Sequence, residues 1–585
     1  MSKAVGMKKL LVIAFVILSA NVFSQTNILC TDSIANQVLL GNYNPLNYNA
    51  SVILNRPDTI FKGINARVNP DSLKSYVFKF ATFYNRNTAS DTVSQTRGIG
   101  AARRWVYSKF QQYSATCQNR LIPAYLQFTL NVCGVTQHRD VIAVLPGLDT
   151  TDKSIVIIEG HIDSRCTNNC DTSSKAEGVE DNASGAALVM ELARVMCKYS
   201  YNNTIVFIAT TGEEQGLYGA YAFSNYAKQK GIKIKAVLNN DVIGGVICGY
   251  TSSAPSCPGY GNIDSTQVRI FSLGSFNSAH KGLARFTKLE YKENLMVTAT
   301  VPMLISIMTP QDRTGRGGDH EPFNTNGYTA IRFTAANEDG DANVTDTAYK
   351  DRQHTSRDSL GTFKKNSSSS SLDSLFVNFP YLSRNAIING NAAGMLAIGP
   401  MQPDINLTSP APGSLRIQIT KQTQYHQYRI GLRSLTNDWD SVYTMTGTLV
   451  DTITNLPSGT YDVSVMSDDT NNIESLPSTE YTAKVTGIGE LTAPAKTVEL
   501  LQNKPNPFDL ATCISVNVTK NIEYHTAYIS IKDMKGVEIQ RLPIKLKTGI
   551  DEVLFDHGYH PTGTYIYTLV IDGQSIESKR MMFAN

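Results

Sequence analysis

Between residues 125 and 395, short apolar runs alternate with segments in which apolar residues recur at helical spacing. The runs that predict buried strands are Ser154–Glu159, Thr204–Thr210, Lys233–Asn239 and Thr329–Thr334. The segments that predict helices are Ser184–Lys198, Leu217–Lys230 and, within a long Gly-, Ser- and Thr-rich stretch at 249–318, Thr266–Leu283. Strands that alternate with helices favour parallel pairing and a sheet buried on both faces. The sequence therefore predicts an α/β fold with a mostly parallel mixed sheet flanked by helices, preceded by helices at Asp71–Tyr84 and Thr96–Tyr113.

Acidic and imidazole side chains stand where the predicted strands end. His161 follows the first strand, Glu214 the second and Asp241 the third. His320 precedes the fourth strand, and Asp181 lies at the start of a helix. Because ligand sites in open α/β sheets form at the carboxyl ends of the strands, we expect these five side chains to meet in one cleft.

These five residues predict a metal centre. Two imidazoles and three carboxylates packed together would leave uncompensated negative charge, and zinc binds both kinds of side chain. Two ions about 3.5–4 Å apart can share one carboxylate. We therefore expect two zinc ions per chain, with Asp181 bridging them, His161 and Asp241 completing one site, and Glu214 and His320 completing the other.

Two further residues have predicted roles beside the metal ligands. Asp163 lies two residues after His161 and is placed to accept the free ring N–H of that histidine. Glu213 is adjacent to Glu214 and is the candidate general base that removes a proton from the attacking water. The remaining histidines have no comparable context, and surface or core positions are expected for His138, His280, His354, His426, His525, His557 and His560.

The motifs GHIDS, EDNASGAA, TGEEQGLYGA, NND and GDH, in this order, resemble those of the M28 family of zinc aminopeptidases. The resemblance covers about 70–395 within a domain that we place at 70–398, and it implies a fold similar to the zinc-peptidase/phosphorylase type. It implies the same five ligands and Glu213 as the base. It also implies a cis peptide bond between Asp181 and Asn182. The role of Asn337-Glu338-Asp339, which also looks familial, is not evident from the sequence.

The expected activity is hydrolysis of the N-terminal peptide bond of peptides or proteins. One zinc ion would polarise the carbonyl, and the substrate's free α-amino group would bind near the metals. Two alternatives remain open: a glutaminyl cyclase-like transferase with one zinc ion, and a peptidase-fold binding protein without activity. A carboxypeptidase is a weaker third possibility.

The N-terminus has the pattern of an export signal. Lys3, Lys8 and Lys9 precede the apolar run Leu10–Leu18, and cleavage is expected after Ser24. That run is shorter than the roughly 20 residues that span a bilayer, so residues 1–24 predict a signal peptide and no transmembrane anchor. Residues 25–69 form an N-terminal extension that the sequence does not identify as a propeptide or as part of the enzyme.

The net charge bears on the kind of partner that the chain binds, and the cysteine content bears on whether it forms disulfide bonds. A net charge of +3 does not suggest nucleic acid as a partner, and the oligomeric state is not evident. Nine cysteines in an exported chain permit disulfide bonds. The pairs closest in sequence are Cys166–Cys170, Cys117–Cys133 and Cys248–Cys257, whereas Cys197 is expected to be a small buried core residue.

After residue 398 the sequence pattern changes to short runs of alternating apolar and polar residues, which predict strands. This pattern predicts two small all-β sandwich domains. Residues 403–486 resemble a fibronectin type III domain through the segment Leu456–Val465, and a linker follows at 487–497. Residues 498–585 resemble the type A C-terminal sorting domain of the type IX secretion system through the opening motif Leu501–Phe508, Gly563–Tyr567 and Ser578–Met582. This resemblance implies that the secretion machinery is a partner and that the chain is secreted or displayed at the cell surface.

Overall fold

The computed structural model describes residues 25–50, 57–247, 262–275, 277–313, 316–336, 338, 352–363, 372–433, 438–486, 497–508, 511–533, 538–556 and 563–583. The expected signal peptide, most of the expected linker and the pair Cys248–Cys257 lie outside these residues. Among the residues described, no helix has the length and apolar character needed to cross a membrane.

The first nine strands of the described chain form one sheet. They are β1 Thr26–Cys30, β2 Ile122–Val132, β3 Val135–Leu145, β4 Ile155–His161, β5 Thr204–Thr210, β6 Ile234–Asn240, β7 Gln267–Ser272, β8 Leu304–Ile307 and β9 Ala330–Ala335. Their spatial order is β1-β2-β3-β5-β4-β6-β9-β7-β8. The central strands β5, β4, β6 and β9 pair in parallel, whereas β1, β2, β3 and β5 pair antiparallel. This large mixed sheet confirms the predicted α/β class and confines most of the parallel pairing to the centre.

Helices cover both faces of the sheet. They are α1 Ser33–Leu39, α2 Pro57–Arg67, α3 Pro70–Ala81, α4 Gly98–Thr116, α5 Ala183–Met196, α6 Glu213–Gly216, α7 Tyr218–Lys230, α8 Ala279–Glu290, α9 His320–Thr325 and α10 Phe379–Ile398. One apolar core holds α2 to α5, α8 and α10 against one face, and a second core holds α1, α7 and α9 against the other. Helix α5 is apolar almost throughout, which fits its position between β4 and the outer helices α3, α4 and α10.

The predicted helix Thr266–Leu283 is wrong in its first half. Residues Gln267–Ser272 form β7, which pairs antiparallel with β9 and parallel with β8. Every residue of this segment is buried, and its Val, Ile and Phe side chains suit a strand. Gly274 follows with a φ of +90°, a left-handed conformation that interrupts the chain direction before α8 begins at Ala279.

The N-terminal extension is built into the large α/β unit. Strand β1 pairs with β2 at the edge of the sheet, and α1 packs on β2 and β3. Helix α2 packs on α10 and α5, and its Ile60 and Ile64 are fully buried in the larger core. None of these elements lines the cleft described below.

A two-stranded hairpin and two small β-domains complete the described chain. The hairpin strands are β10 Gly361–Phe363 and β11 Leu372–Leu375, and the first domain contains β12 Asp404–Thr408, β13 Leu415–Lys421, β14 Gln427–Arg433, β15 Ser441–Thr446, β16 Val450–Ile453, β17 Gly459–Asp468 and β18 Tyr481–Val485. The second contains β19 Val498–Leu500, β20 Ala511–Val518, β21 Ala527–Lys532, β22 Glu538–Pro543, β23 Gly549–Asp556, β24 Gly563–Ile571 and β25 Gln574–Phe583. Each domain is a pair of antiparallel sheets around its own apolar core, as the alternating pattern predicts.

Both β-domains dock on α8 of the larger unit. The ammonium group of Lys288 contacts the carboxylates of Asp438 in the first β-domain and Glu552 in the second. Arg285 lies 3.3 Å from Glu480 of the first β-domain, and Lys292 lies 2.8 Å from Glu552. Lys288 is buried, so its two carboxylate partners replace the water that its charge would otherwise need.

The disulfide pairs differ from those predicted by sequence proximity. Cys117 bonds to Cys197, and Cys133 bonds to Cys170. Cys166 is buried and free, so the predicted pairs Cys166–Cys170 and Cys117–Cys133 are wrong. Cys197 is buried as expected, but it links the end of α5 to the end of α4 and is not an isolated core thiol. The sheet and helices bring partners together across 80 and 37 residues of sequence, which proximity along the chain does not reveal.

Replacing both Cys117 and Cys197 by Ala should lower the free energy of unfolding of the large unit by about 2–5 kcal/mol, because the bond closes a long loop. Calorimetry on the oxidised protein would show this as a lower melting temperature. Cys30→Ala, which removes a free thiol, is the matched control. An equal melting temperature for the double variant and this control would contradict the pairing.

Candidate metal centre

The candidate centre lies at the carboxyl edge of the central parallel strands. His161 is the last residue of β4, Glu213 and Glu214 begin α6 two residues beyond the end of β5, and Asp241 follows β6. Asp181 precedes α5, and its peptide bond to Asn182 is cis, as the family resemblance predicted. The strand topology therefore brings these side chains to one place, as the sequence indicated.

Two groups of donor atoms share the carboxylate of Asp181. In the first group, His161 Nε2 lies 3.3 Å from Asp181 Oδ1 and 3.3 Å from Asp241 Oδ1. In the second group, His354 Nε2 lies 3.1 Å from Asp181 Oδ2 and 3.1 Å from Glu214 Oε2. Asp181 thus presents one oxygen to each group, which is the arrangement of a bridging carboxylate.

This donor geometry fits zinc. Ligands about 2.0–2.1 Å from a tetrahedral ion lie roughly 3.3 Å from one another, close to the observed spacings. All five side chains are buried, and Glu214 Oε1 has no hydrogen-bond partner among the described residues. Burial alone would raise the pKa of Asp181, but the hydrogen bonds from His161 and His354 hold that pKa well below its usual value.

The expectation that His320 lies beside the other four predicted ligands is wrong. His320 is the first residue of α9, and its Nε2 lies 3.2 Å from the backbone oxygen of Gln311 and 3.9 Å from Asp312 Oδ2. It belongs to a separate cluster with Asp312 and Glu321. His354, for which a surface or core position was expected, is buried in the place predicted for His320, beside Asp181 and Glu214.

Asp358, which lies in the same loop as His354, supports the backbone at Asp181. Four residues later in the same loop, the carboxylate of Asp358 accepts hydrogen bonds from the backbone N–H groups of Glu180 and Asp181, at 2.9 and 3.0 Å. One short segment therefore holds both the backbone and the side chain of Asp181. The segment follows no predicted strand. Because candidate ligands were sought at the ends of predicted strands, His354 was not among them.

Asp163 holds His161 and the start of α6 together. The Nδ1 atom of His161 lies 3.1 Å from the backbone oxygen of Asp163 and 3.5 Å from its carboxylate. The same carboxylate accepts hydrogen bonds from Thr88 Oγ1 at 3.0 Å and from the backbone N–H of Glu214 at 3.2 Å. The structure thus places Asp163 beside the free ring nitrogen of His161, as predicted, and gives it the backbone of a second ligand as well.

Glu213 lines the cleft beside the donor groups. Its Oε2 lies 3.8 Å from His161 Nε2, whereas the side chain of Glu214 turns toward His354. Burial raises the pKa of Glu213 well above its usual value, and the imidazole of His161 partly offsets that increase. The two adjacent glutamates therefore have different surroundings, which is compatible with different roles.

A buried arginine holds the outer oxygen of Asp241. Arg332 Nη2 lies 3.1 Å from Asp241 Oδ2 and 2.6 Å from Glu338, and Arg332 Nη1 lies 2.6 Å from Asp312. Burial alone would raise the pKa of Asp241, but the charge of Arg332 and the hydrogen bond from His161 hold it below its usual value. Glu338 also pairs with Arg269 and so anchors this network, whereas its neighbours Asn337 and Asp339 lie outside the described residues. Sequence reasoning missed Arg332, because a charged residue inside a buried strand carries no motif.

Comparisons with known proteins identify the family of this chain. The profile of peptidase family M28 matches residues 140–375. A probable zinc metalloprotease of Pyricularia oryzae is 32% identical over 360 residues, which cover 59% of this chain and 68% of the relative. The fold and the site, together with these matches, define a zinc-dependent peptidase. The chain belongs to peptidase family M28.

Solved structures of low sequence identity overlap the same region. The LapA aminopeptidase of Legionella pneumophila has a TM-score of 0.41 and 19% identity, and the match covers 58% of this chain and 73% of that one. A glutaminyl cyclase from an Acidobacteriales bacterium has a TM-score of 0.38 and 18% identity, with 56% of this chain and 94% of that one covered.

The exchange of His354 for His320 is directly testable. His354→Ala should weaken zinc binding at least tenfold, because it removes a donor that contacts two other candidate ligands. His320→Asn should leave zinc affinity unchanged. Chelator competition on both variants would measure the affinities, and weaker binding only in the His320 variant would restore the original assignment.

Arg332→Gln should lower zinc affinity by about 10–100-fold, the usual effect of removing a group that orients a metal ligand. Arg269→Gln is the matched control, since Arg269 shares the Glu338 anchor and makes no contact with Asp241 among the described interactions. Zinc competition and apo-protein melting curves would be recorded for both. Equal zinc affinities in the two variants would remove Arg332 from the metal centre.

Proposed function

We propose that this zinc-dependent peptidase is an aminopeptidase that uses two zinc ions. The observation that carries the proposal is the position of Asp181, which offers one oxygen to His161 and the other to His354. His161 and Asp241 would hold one ion, and His354 and Glu214 the other. Zinc bound there would supply Lewis-acid polarisation of the scissile carbonyl and activation of a water molecule.

The protein's own groups perform the proton transfers and the positioning. Glu213 accepts a proton from the attacking water and returns it to the leaving amine nitrogen. Burial raises the pKa of Glu213, so its carboxylate takes up a proton more readily than an exposed glutamate does. Asp163 keeps the ring of His161 in one orientation, and Arg332 keeps Asp241 turned so that one oxygen faces the cleft.

The donor chemistry of the cleft supports attack at the first residue of a peptide. The cleft is lined by the carboxylates of Asp181, Glu213, Glu214 and Asp241 and by three arginines. Three of the carboxylates would hold the zinc ions, and zinc also binds nitrogen donors, so the free α-amino group of a substrate would dock beside the metal centre. The scissile bond of the N-terminal residue then lies within reach of Glu213.

The second candidate reaction is glutaminyl cyclisation, which would need a single zinc ion. Two separate His–carboxylate groups around one shared carboxylate favour the two-metal hydrolase. Release of free amino acid from an N-terminal glutamine peptide supports hydrolysis, and formation of pyroglutamate supports the cyclase. An inert, zinc-bound protein in both assays would indicate a binding protein.

The chain is also proposed to be exported, with its C-terminal domain acting as a type IX secretion sorting domain and the preceding one as a fibronectin type III-like spacer. Two disulfide bonds in the large unit support an oxidising compartment. The two-sheet architecture of both domains is compatible with these assignments. Replacing residues 498–585 by a tag should leave the protein inside the cell envelope, and fractionation of cells and medium would measure this.

Glu213→Gln should bind zinc as the unmodified protein does and lose about 10²–10⁴-fold in kcat, because the variant cannot accept a proton. The assay is hydrolysis of an aminoacyl-arylamide panel by the zinc-loaded full chain, with chelator treatment as the metal-free reference. Glu177→Gln, which lies outside the lining of the cleft, is the matched control. Normal turnover by Glu213→Gln would show that another group is the base.

A further inference from the structure

The loop that follows Arg165 is tied to the candidate metal centre by one exposed residue, Asn169. The side-chain oxygen of Asn169 accepts a hydrogen bond from Arg165 Nη1 at 2.7 Å. Its backbone oxygen accepts hydrogen bonds from Asn87 Nδ2 at 2.8 Å and from Gln215 Nε2 at 3.2 Å. Although Asn169 is exposed, it therefore contacts both the arginine beside Glu214 and the residue that follows Glu214 in the chain.

Arg165 connects Asn169 to two candidate zinc ligands. Its Nε lies 2.9 Å from Glu214 Oε2, with which it forms an ion pair, and its Nη2 lies 2.6 Å from His354 Nδ1. A carboxylate oxygen has two lone pairs, so Oε2 of Glu214 can accept this hydrogen bond and still bind a zinc ion. Because the guanidinium group is planar, a contact that fixes Nη1 also fixes the direction of the other two donors.

The Cys133–Cys170 disulfide bond fixes the position of Asn169 from its other side. Cys170 directly follows Asn169, and Cys133 lies in the two-residue turn between β2 and β3. Cys133 and Gly134 have φ values of +50° and +90°, as in the tight turns that join hairpin strands. Asn131 closes this turn by accepting a hydrogen bond from the N–H of Gly134 at 3.0 Å. The loop is therefore bonded covalently to the end of a hairpin of the large sheet.

These contacts reach the donor group of Glu214 and His354. The side chains of the other donor group, His161 and Asp241, are held by Asp163 and by an arginine on β9. The two groups therefore depend on different parts of the fold. A change in the loop at 165–170 should affect the zinc ion of the first pair more than that of the second.

We propose that Asn169, held by the exposed disulfide bond beside it, is a positioning residue for the zinc ion of Glu214 and His354. It acts through Arg165 and does not touch the substrate or the reacting atoms. This inference rests on the proposed two-zinc centre. Substitution of an exposed residue ordinarily changes protein stability little, so a loss of zinc affinity would set Asn169 apart from its surface neighbours.

The test measures the affinity of the full chain for each zinc ion by chelator competition. Asn169→Ala should weaken the binding of one ion about 10–100-fold, the usual effect of losing a group that orients a metal ligand. Asn169→Asp should bind zinc as the unmodified protein does, because it keeps an oxygen acceptor for Arg165. When His354→Ala is already present, adding Asn169→Ala should leave the affinity for the remaining ion unchanged, which assigns the effect to one donor group.

A second pair of variants tests the disulfide bond. Replacing Cys133 and Cys170 together by Ala should weaken the same zinc ion at least tenfold, and it introduces no thiol that could bind zinc. The matched control replaces Cys117 and Cys197 by Ala, which removes a disulfide bond distant in sequence from this loop. Both zinc affinities of the control should remain unchanged at temperatures below its melting transition.

Each possible outcome decides the inference. Unchanged or tighter zinc binding by Asn169→Ala would overturn it, as would an equal loss in Asn169→Asp or an undiminished loss when His354→Ala is present. Unchanged affinity after removal of Cys133 and Cys170 would overturn the role of the disulfide bond. If the unmodified chain binds a single zinc ion, the two-zinc proposal fails, and the response of that ion to Asn169→Ala still decides the role of Asn169.

Discussion

The shared carboxylate of Asp181 is the interaction around which the centre is organised. Its two oxygens face two different histidines, and this is possible only because the chain fixes both its backbone and its side chain. Asp358 binds the backbone N–H groups of Glu180 and Asp181, and Asn182 caps α5 by accepting a hydrogen bond from Gly185. The carboxylate therefore has little freedom to turn away from either donor group.

Buried charge is the second constraint on the centre. Carboxylates gathered at one sheet edge destabilise the fold unless cations compensate them. The protein supplies part of that compensation itself, through Arg332 on Asp241 and through Arg165 on Glu214. The remaining donor atoms face one another at spacings that suit an ion, so folding and metal binding reinforce each other.

Most of the centre could be predicted because the carboxyl ends of parallel strands lie at the same edge of the sheet. His161, Glu214 and Asp241 each follow a strand whose apolar run is evident in the sequence, and the structure places them together. His354 could not be found in this way, since it lies on a loop whose position depends on contacts with Glu180 and Asp181 that are distant in sequence. The strand at β7 was missed for a related reason, because a short buried run can be read as either helix or strand. The disulfide partners depend on the completed fold and were not accessible from spacing.

The junction at Lys288 makes the three folded units interdependent. This lysine is buried against one acidic partner from each β-domain, so separation of either domain removes one of the two carboxylates that balance its charge. Removing one partner of a buried ion pair costs about 3–5 kcal/mol in other proteins. Loss of the last domain would therefore do more than shorten the chain, because it would remove Glu552 and leave Lys288 and Lys292 without that carboxylate beside the first β-domain.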